Sequence, residues 1–215
     1  MHIIFEDENI VVCRKERGVL SQRDSKGAKN MIDMLEEHCK AEIYPIHRLD
    51  KDVGGVMVYA KNSTGAAELS KQVAERSFDK IYLARVHSCP EQQQGRMEDL
   101  LFFDRGKNKS FVVKKERRGV KKAVLEYECL RKENDSTVVK VKLLTGRTHQ
   151  IRVQFASRKM PLMGDGKYGS RDNLPLALHC YRMGFTHPYT KKYVDTVFLP
   201  ESPFGGFSLD GLFNS

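Results

Sequence analysis

The chain has 215 residues, of which 40 % are hydrophobic, and 37 Lys+Arg against 28 Asp+Glu give it a formal charge of +9 at pH 7. That length suffices for one sizeable domain or two small lobes with a real core, and the balance argues against disordered, collagen-like and membrane classes. The excess charge is concentrated: between Arg105 and Lys122, nine cations (Arg105, Lys107, Lys109, Lys114, Lys115, Arg117, Arg118, Lys121 and Lys122) stand against one anion, Glu116.

The first elements are two short strands, Ile3-Ile4-Phe5 and Ile10-Val11-Val12, joined by the polar turn Glu6 to Asn9. Met31, Met34, Leu35 and His38-Cys39 then recur at helical spacing. Gly55 to Tyr59 predicts a buried strand, Ser63 to Glu75 a helix, and Phe78 to Val86 another strand apolar on both faces. Ala123 to Leu130 and Thr137 to Leu144 predict two strands separated by Glu133-Asn134-Asp135-Ser136, a hairpin signal that favours antiparallel pairing. The expected fold class is α+β, a mixed α/β domain dominated by a sheet. With neither an internal repeat nor a Pro-rich linker, any division into lobes must come from the chain folding back on itself.

The basic block has two readings. It can track an RNA or DNA backbone, because each cation that meets a phosphate releases a condensed counterion. It can equally be a solvated loop, or the charged edge of a sheet protected against pairing. The five cysteines, Cys13, Cys39, Cys89, Cys129 and Cys180, are odd in number, widely spaced and without a C-x-x-C pair, which reads as reduced thiols. Met1 to Asn9 has three acids and no Lys or Arg, unlike a signal peptide, so the expected compartment is the cytoplasm. The seven histidines show no metal-ligand spacing, and phosphate-loop and dinucleotide glycine patterns are missing, so neither a metal nor a cofactor is expected.

Three stretches hold more polar chemistry than core and surface patterning require. His47-Arg48-Leu49-Asp50-Lys51-Asp52-Val53-Gly54-Gly55 lies before a buried strand. If extended, it presents Arg48 and Asp50 on one side and anchors Leu49 on the other. The plain alternative is a surface ion pair beside a turn. Leu144-Thr145-Gly146-Arg147-Thr148-His149-Gln150-Ile151-Arg152 follows an apolar strand. A helix starting there would offer free N–H groups to an anion, but Ile151, Val153 and Phe155 alternate with period two, leaving helix and strand both open. The third stretch is Lys80-Ile81-Tyr82 in a strand, with the later Gly164-Asp165-Gly166-Lys167-Tyr168-Gly169 and Leu178-His179-Cys180-Tyr181-Arg182-Met183.

In this order, H-R-L-D with a following glycine pair, K-I-Y-L-A, G-R-T-H-Q-I-R-V, G-D-x-x-Y-G and L-H-C resemble the RluA-type RNA pseudouridine synthases, from about Ile3 to Phe207. The resemblance implies a single catalytic domain over 1–215, with a largely antiparallel sheet, flanking helices and a central RNA-binding cleft. It implies an isomerase that breaks the bond from ribose to uracil nitrogen and rejoins the base through carbon 5, without cofactor or metal. Asp50 maps to the essential aspartate, Arg147 to the arginine that pairs with it, and Tyr82 to the tyrosine that stacks on the uracil and is proposed to take the carbon 5 proton. Arg48 maps beside the flipped nucleotide, with His47, Lys80, His149, Gln150 and Arg152 as further substrate contacts. The partner is RNA, tRNA or rRNA, and the default state is a monomer.

Two departures accompany the resemblance. Val53-Gly54 stands where the family usually has Thr-Ser, removing two hydroxyls near the aspartate loop. Only 46 residues precede His47, so no added N-terminal S4-type module is expected. The alternatives are a catalytically inactive RNA-binding relative, for which Val53-Gly54 is the sequence support, and a nucleoside glycosidase, which would need a second carboxylate such as Asp52 or Asp165.

Overall fold

The computed structural model describes residues 1–201 and 204. It contains, in chain order, β1 (His2–Glu6), β2 (Ile10–Lys15), α1 (Met31–Cys39), β3 (Tyr44–Pro45), β4 (Gly54–Ala60), α2 (Ser63–Glu75), β5 (Asp79–His87), β6 (Gln94–Asp104), β7 (Lys109–Val113), β8 (Val120–Glu133), β9 (Ser136–Leu143), α3 (Gln150–Ala156), a 3-10 turn (Gly166–Tyr168), β10 (Leu178–Thr186) and β11 (Tyr193–Val197). The chain divides into two compact units. Of the described residues, the first comprises 1–80 and 179–200, and the second 81–178 with 201 and 204.

In the first unit β1 pairs with β2, β2 with β4, β3 with β4 and β10 with β11, all antiparallel, while β4 and β10 pair in parallel through His179↔Gly54 and Cys180↔Gly55. Every residue of β4 is buried, as its continuous apolar run implies. The parallel contact explains one glycine of the H-R-L-D stretch: Gly55 has φ +133°, and a Cβ there would lie 2.3 Å from the Cys180 carbonyl oxygen. Both helices begin on asparagine caps. The Asn30 side chain accepts from the Asp33 N–H and the Asn62 side chain from the Gly65 N–H, each filling one of the orphan donors of a first turn. α1 buries Met31 and Leu35 from the predicted spacing, together with Ile32, while Met34 and Cys39 are half-buried and His38 is exposed.

The second unit is an antiparallel sheet in the order β5-β9-β8-β6-β7. The predicted hairpin is β8 and β9, with Asn134 at φ +49° in its turn. On one face of β8 run Lys122, Glu126 and Glu128, forming ion pairs with Glu98 and Arg96 of β6 and Lys140 of β9. The opposite face carries Ala123 and Leu125 and is covered by α3: Leu101, Ala123 and Val153 form a buried cluster against which Tyr168 packs. Here the structure decides between helix and strand. Gln150 to Phe155 are all buried, so α3 shows no polar face from which a 3.6-residue period could be read. The basic block occupies the end of the β6–β7 hairpin, the edge strand β7 and the start of β8. Among the described residues, no helix is long and apolar enough to cross a membrane.

Candidate active site

In the first unit, the segment between β3 and β4 carries His47, Arg48 and Asp50. Leu49 is buried and anchors it, while Arg48 is exposed and Asp50 half-buried. The loop backbone is tied down at successive residues. Leu49 both donates its N–H to the Ser21 hydroxyl and accepts from it, each at 2.9 Å. The Val53 N–H donates to the Asp50 carbonyl at 3.0 Å, closing a tight turn. The Lys51 carbonyl accepts from the Gly18 N–H at 2.9 Å and from the Lys15 ammonium at 3.0 Å.

Lys15 stands out chemically. It has no exposed surface, and its ammonium also donates to the carbonyls of Val19 at 2.7 Å and Glu16 at 3.0 Å. Burial lowers its pKa to about 8, against the opposing pull of the nearby Asp52, Asp50 and Glu16 carboxylates. A buried cation behind the loop thus holds its backbone and adds positive charge behind the carboxylates. Lys15 and Ser21 belong to no motif in the sequence. The available signal was a lysine in phase with Val11 and Cys13 at the end of a strand whose apolar run implied burial on both faces. These supports also bear on the Val53-Gly54 departure. Val53 is buried, and a Cβ at Gly54 would sit 3.4 Å from both His179 Nδ1 and the Lys15 carbonyl, so the loop is anchored without the two family hydroxyls.

His47 and Lys80, expected as substrate contacts, are both largely enclosed in the first unit. His47 Nε2 accepts from the Val58 N–H at 3.4 Å, its ring lies 5.8 Å from Phe78, and Nδ1 is shut off from solvent without a partner. Burial holds the imidazole neutral, pushing its pKa down to about 3, with the Lys80 cation adding to the effect. Burial likewise lowers the Lys80 pKa.

In the second unit Tyr82 is 5 % exposed on β5, opposite Val141 of β9. The Thr145-Gly146-Arg147 turn leaves β9 and is stapled by Gln150. The Gln150 amide donates to the Val124 carbonyl at 3.1 Å, while its Oε1 accepts from Thr145 Oγ1 at 2.8 Å and from the Arg147 N–H at 3.0 Å. The helix expected from Gly146 begins instead at Gln150, where the first amide already donates to the Arg147 carbonyl at 3.1 Å, and α3 is only seven residues long. Arg147 points its Nε at the Lys122 carbonyl, 3.0 Å away.

Arg152 makes a two-point ion pair with Asp165, at 2.8 and 2.7 Å, with both side chains almost wholly buried. His149, at φ +54°, contacts the Tyr168 hydroxyl through Nδ1 at 3.0 Å, and that hydroxyl also accepts from the Ser110 N–H at 2.8 Å. The G-D-x-x-Y-G stretch is thereby explained by its own contacts: Asp165 holds α3, and Tyr168 ties the turn before α3 to β7. Gln150 and Arg152 spend their polar groups inside the unit rather than presenting them.

One possible ligand set that spacing did not reveal is assembled by the fold. Glu6, His38 and Cys39 bring donor atoms within 4.8 Å of one another. Glu6 is, however, already shared between the Lys61 ammonium at 2.9 Å and His38 at 2.8 Å, and these partners lower its pKa to about 2. The trio is accounted for as an ion-pair cluster.

A mostly antiparallel sheet with three helices belongs to a class, the pseudouridylate synthase fold. The human RNA pseudouridylate synthase domain containing 4 shares this fold, with a TM-score of 0.76 over 94 % of this chain and 90 % of that one, at 23 % identity. Residues 9–157 match the RNA pseudouridylate synthase family. The chain is similar to the dual-specificity RNA pseudouridine synthase RluA of Vibrio cholerae, with 32 % identity over 92 % of this chain and 82 % of that protein. It is also similar to the ribosomal large subunit pseudouridine synthase D of Borreliella burgdorferi, with 34 % identity over 84 % of this chain, and the match spans only 60 % of that relative's length. The chain belongs to the RNA pseudouridine synthase family, of the RluA type, a family of isomerases that act on RNA.

Proposed function

We propose that this chain converts uridine to pseudouridine in tRNA or rRNA, working as a cytoplasmic monomer, with Asp50 as its catalytic carboxylate. The observation that carries the proposal is the Asp50 loop itself: its backbone is fixed at Leu49, Asp50 and Lys51 by Ser21, the turn to Val53, Gly18 and the buried Lys15. Such a loop holds a reacting group in place before substrate arrives, which is where positioning contributes to catalysis.

The reaction breaks the bond from ribose carbon 1′ to uracil nitrogen 1, turns the base, forms the bond from carbon 1′ to carbon 5, and releases the carbon 5 proton. Asp50 acts at the glycosidic bond, Tyr82 provides the ring against which the uracil lies, and Arg147 provides the guanidinium that orients the carboxylate. A base inside a helix is out of reach, so the target nucleotide is flipped, at a cost of a few kcal/mol of unstacking. Arg48, exposed beside Asp50, fills the vacated space, and the cations from Arg105 to Lys122 hold the backbone. His47, Lys80, His149, Gln150 and Arg152 act mainly by positioning, as their enclosed side chains suggest.

The test is to incubate the purified protein with RNA from a strain lacking its gene and map pseudouridines by chemical labelling and reverse-transcription stops. Sites that appear with the wild type and vanish with Asp50→Asn are the expected result. RNA that is bound without any new site would sink the proposal and favour the binding-only alternative.

A further inference from the structure

The second unit contains a cavity of about 680 Å³ next to Arg147, lined in part by Leu101, Phe103, Arg105, Lys121 and the Gly146–Thr148 turn, and by Asp104, whose carboxylate accepts from the Lys107 N–H at 3.0 Å. We propose that it is a subsite for an unpaired nucleotide flanking the target uridine, with the base against Phe103 and the phosphate held by Lys121 and Arg105. The inference rests on the RNA-modifying function proposed above and narrows its substrate to single-stranded or looped RNA.

Sheet register builds this cavity. Lys121 lies opposite Leu101, and Phe103 opposite Ser110, so these four side chains share the sheet face that α3 covers. The cover stops at the turn before α3, where the Ser110 hydroxyl donates to the Thr148 carbonyl at 2.6 Å. Beyond that point the face stays open. Its floor is apolar: Leu101 is buried, and Phe103 is half-buried with its ring edge-on to His149 at 6.2 Å.

The rim charges differ from those on the other face of the same strands. There Lys122, Arg96 and Lys140 are matched to Glu98, Glu126 and Glu128. Lys121 and Arg105, by contrast, have no carboxylate partner among the described residues, and Arg147 uses only its Nε, on a carbonyl. Alternate residues of β8 thus have their charge neutralised on one face and left available on the other, beside an aromatic ring. An apolar floor under unpaired cations is complementary to a nucleotide, whose base offers a π-face and whose phosphate is anionic. The volume lies within the usual 300–1,000 Å³ range of small-ligand sites and accommodates a nucleotide.

The test is equilibrium binding of the full-length chain to a fluorescent single-stranded oligouridylate and to an RNA duplex of equal length. Phe103→Leu and Lys121→Gln are each expected to weaken single-strand binding about tenfold; duplex binding stays within error in Phe103→Leu, because stacking is lost only for a splayed nucleotide, and falls by less than the single-strand loss in Lys121→Gln, whose cation also belongs to the general backbone grip. Phe103→Tyr keeps the ring and should bind like the wild type. Thermal melting of each variant identifies any that fail to fold, and Lys121→Gln, on an exposed side chain, keeps the test alive if a Phe103 variant does. Single-strand binding unchanged in both variants overturns the proposal. Weakening by Lys121→Gln alone overturns the stacked base and leaves only a backbone grip. The function proposed above fails separately, if the wild-type protein makes no pseudouridine.

Discussion

The two motif loops are built on opposite plans. In the first unit, the Asp50 loop is secured through its backbone by groups from elsewhere in the chain, Ser21, Gly18 and Lys15, so that its own polar side chains carry little of the scaffolding. In the second unit, the turn around Arg147 is secured by its own motif side chains: Gln150 staples it and Arg152 is buried against Asp165. A motif rich in polar residues is therefore not a roster of substrate contacts. In the first loop Arg48 is exposed and Asp50 half-buried while His47 is enclosed, and in the second most of the polar residues hold the turn in place.

The largest effect is expected where this difference is sharpest. Arg152→Ala leaves the buried Asp165 carboxylate without its partner, and breaking one side of a buried ion pair costs about 3–5 kcal/mol. The chemical denaturation midpoint should fall accordingly. The double variant Arg152→Met with Asp165→Leu removes both charges and should recover much of the loss. If Arg152→Ala melted like the wild type while RNA affinity dropped, Arg152 would be a contact after all, and the contrast between the loops would collapse.

A second test uses pH against the enclosed His47. Its folded-state pKa of about 3 lies below the ordinary histidine value of 6.5, so below pH 6.5 the unfolded chain binds a proton that the folded chain does not. Stability is therefore lost as pH falls from 6.5, by about 1.4 kcal/mol per pH unit, levelling off only near pH 3. His47→Gln carries no such group. The wild-type advantage over it, measured by denaturation at pH 7, 6 and 5, should shrink with this slope. A constant difference would mean that His47 is solvated and can take up a proton, which would return it to the set of displayed residues.

Much of this scaffold was legible in the sequence, for reasons that particular residues make plain. The helix Ser63–Glu75 was read to its ends, because the polar run around Asn62 precedes a clear apolar stripe. The two N-terminal strands and the β8–β9 hairpin were equally open to reading, since period and turn chemistry agree there. The β6–β7 hairpin was not, because the consecutive apolar Leu100-Leu101-Phe102-Phe103 breaks the alternation of β6 and cations crowd the turn that follows it. α3 was undecided, because burial on every side erases its period. At the site, motif order singled out Asp50, Arg147 and Tyr82 as candidates, but not the division of labour. Burial of Arg152 depends on Asp165, thirteen residues away, and burial of Lys15 depends on Lys51 across 36 residues, and pairings at that range leave no local pattern.

The smallest expected effect tests the backbone clamp itself. The Ser21 hydroxyl serves both the N–H and the carbonyl of Leu49, and Ser21 is buried, so Ser21→Ala strands two polar groups that water cannot reach. Stranded buried groups cost about 1–3 kcal/mol, here confined to the stretch that leads into Asp50. Because the damage is local, hydrogen exchange should rise at Leu49 and Val53 before it rises in β4. Pseudouridine formation should fall more than RNA binding does, since the basic block of the second unit is untouched by the change. If exchange rose equally through β4, the clamp would be part of the unit's general core and not a support placed for the Asp50 loop, and the contrast with the turn around Arg147 would lose its first half.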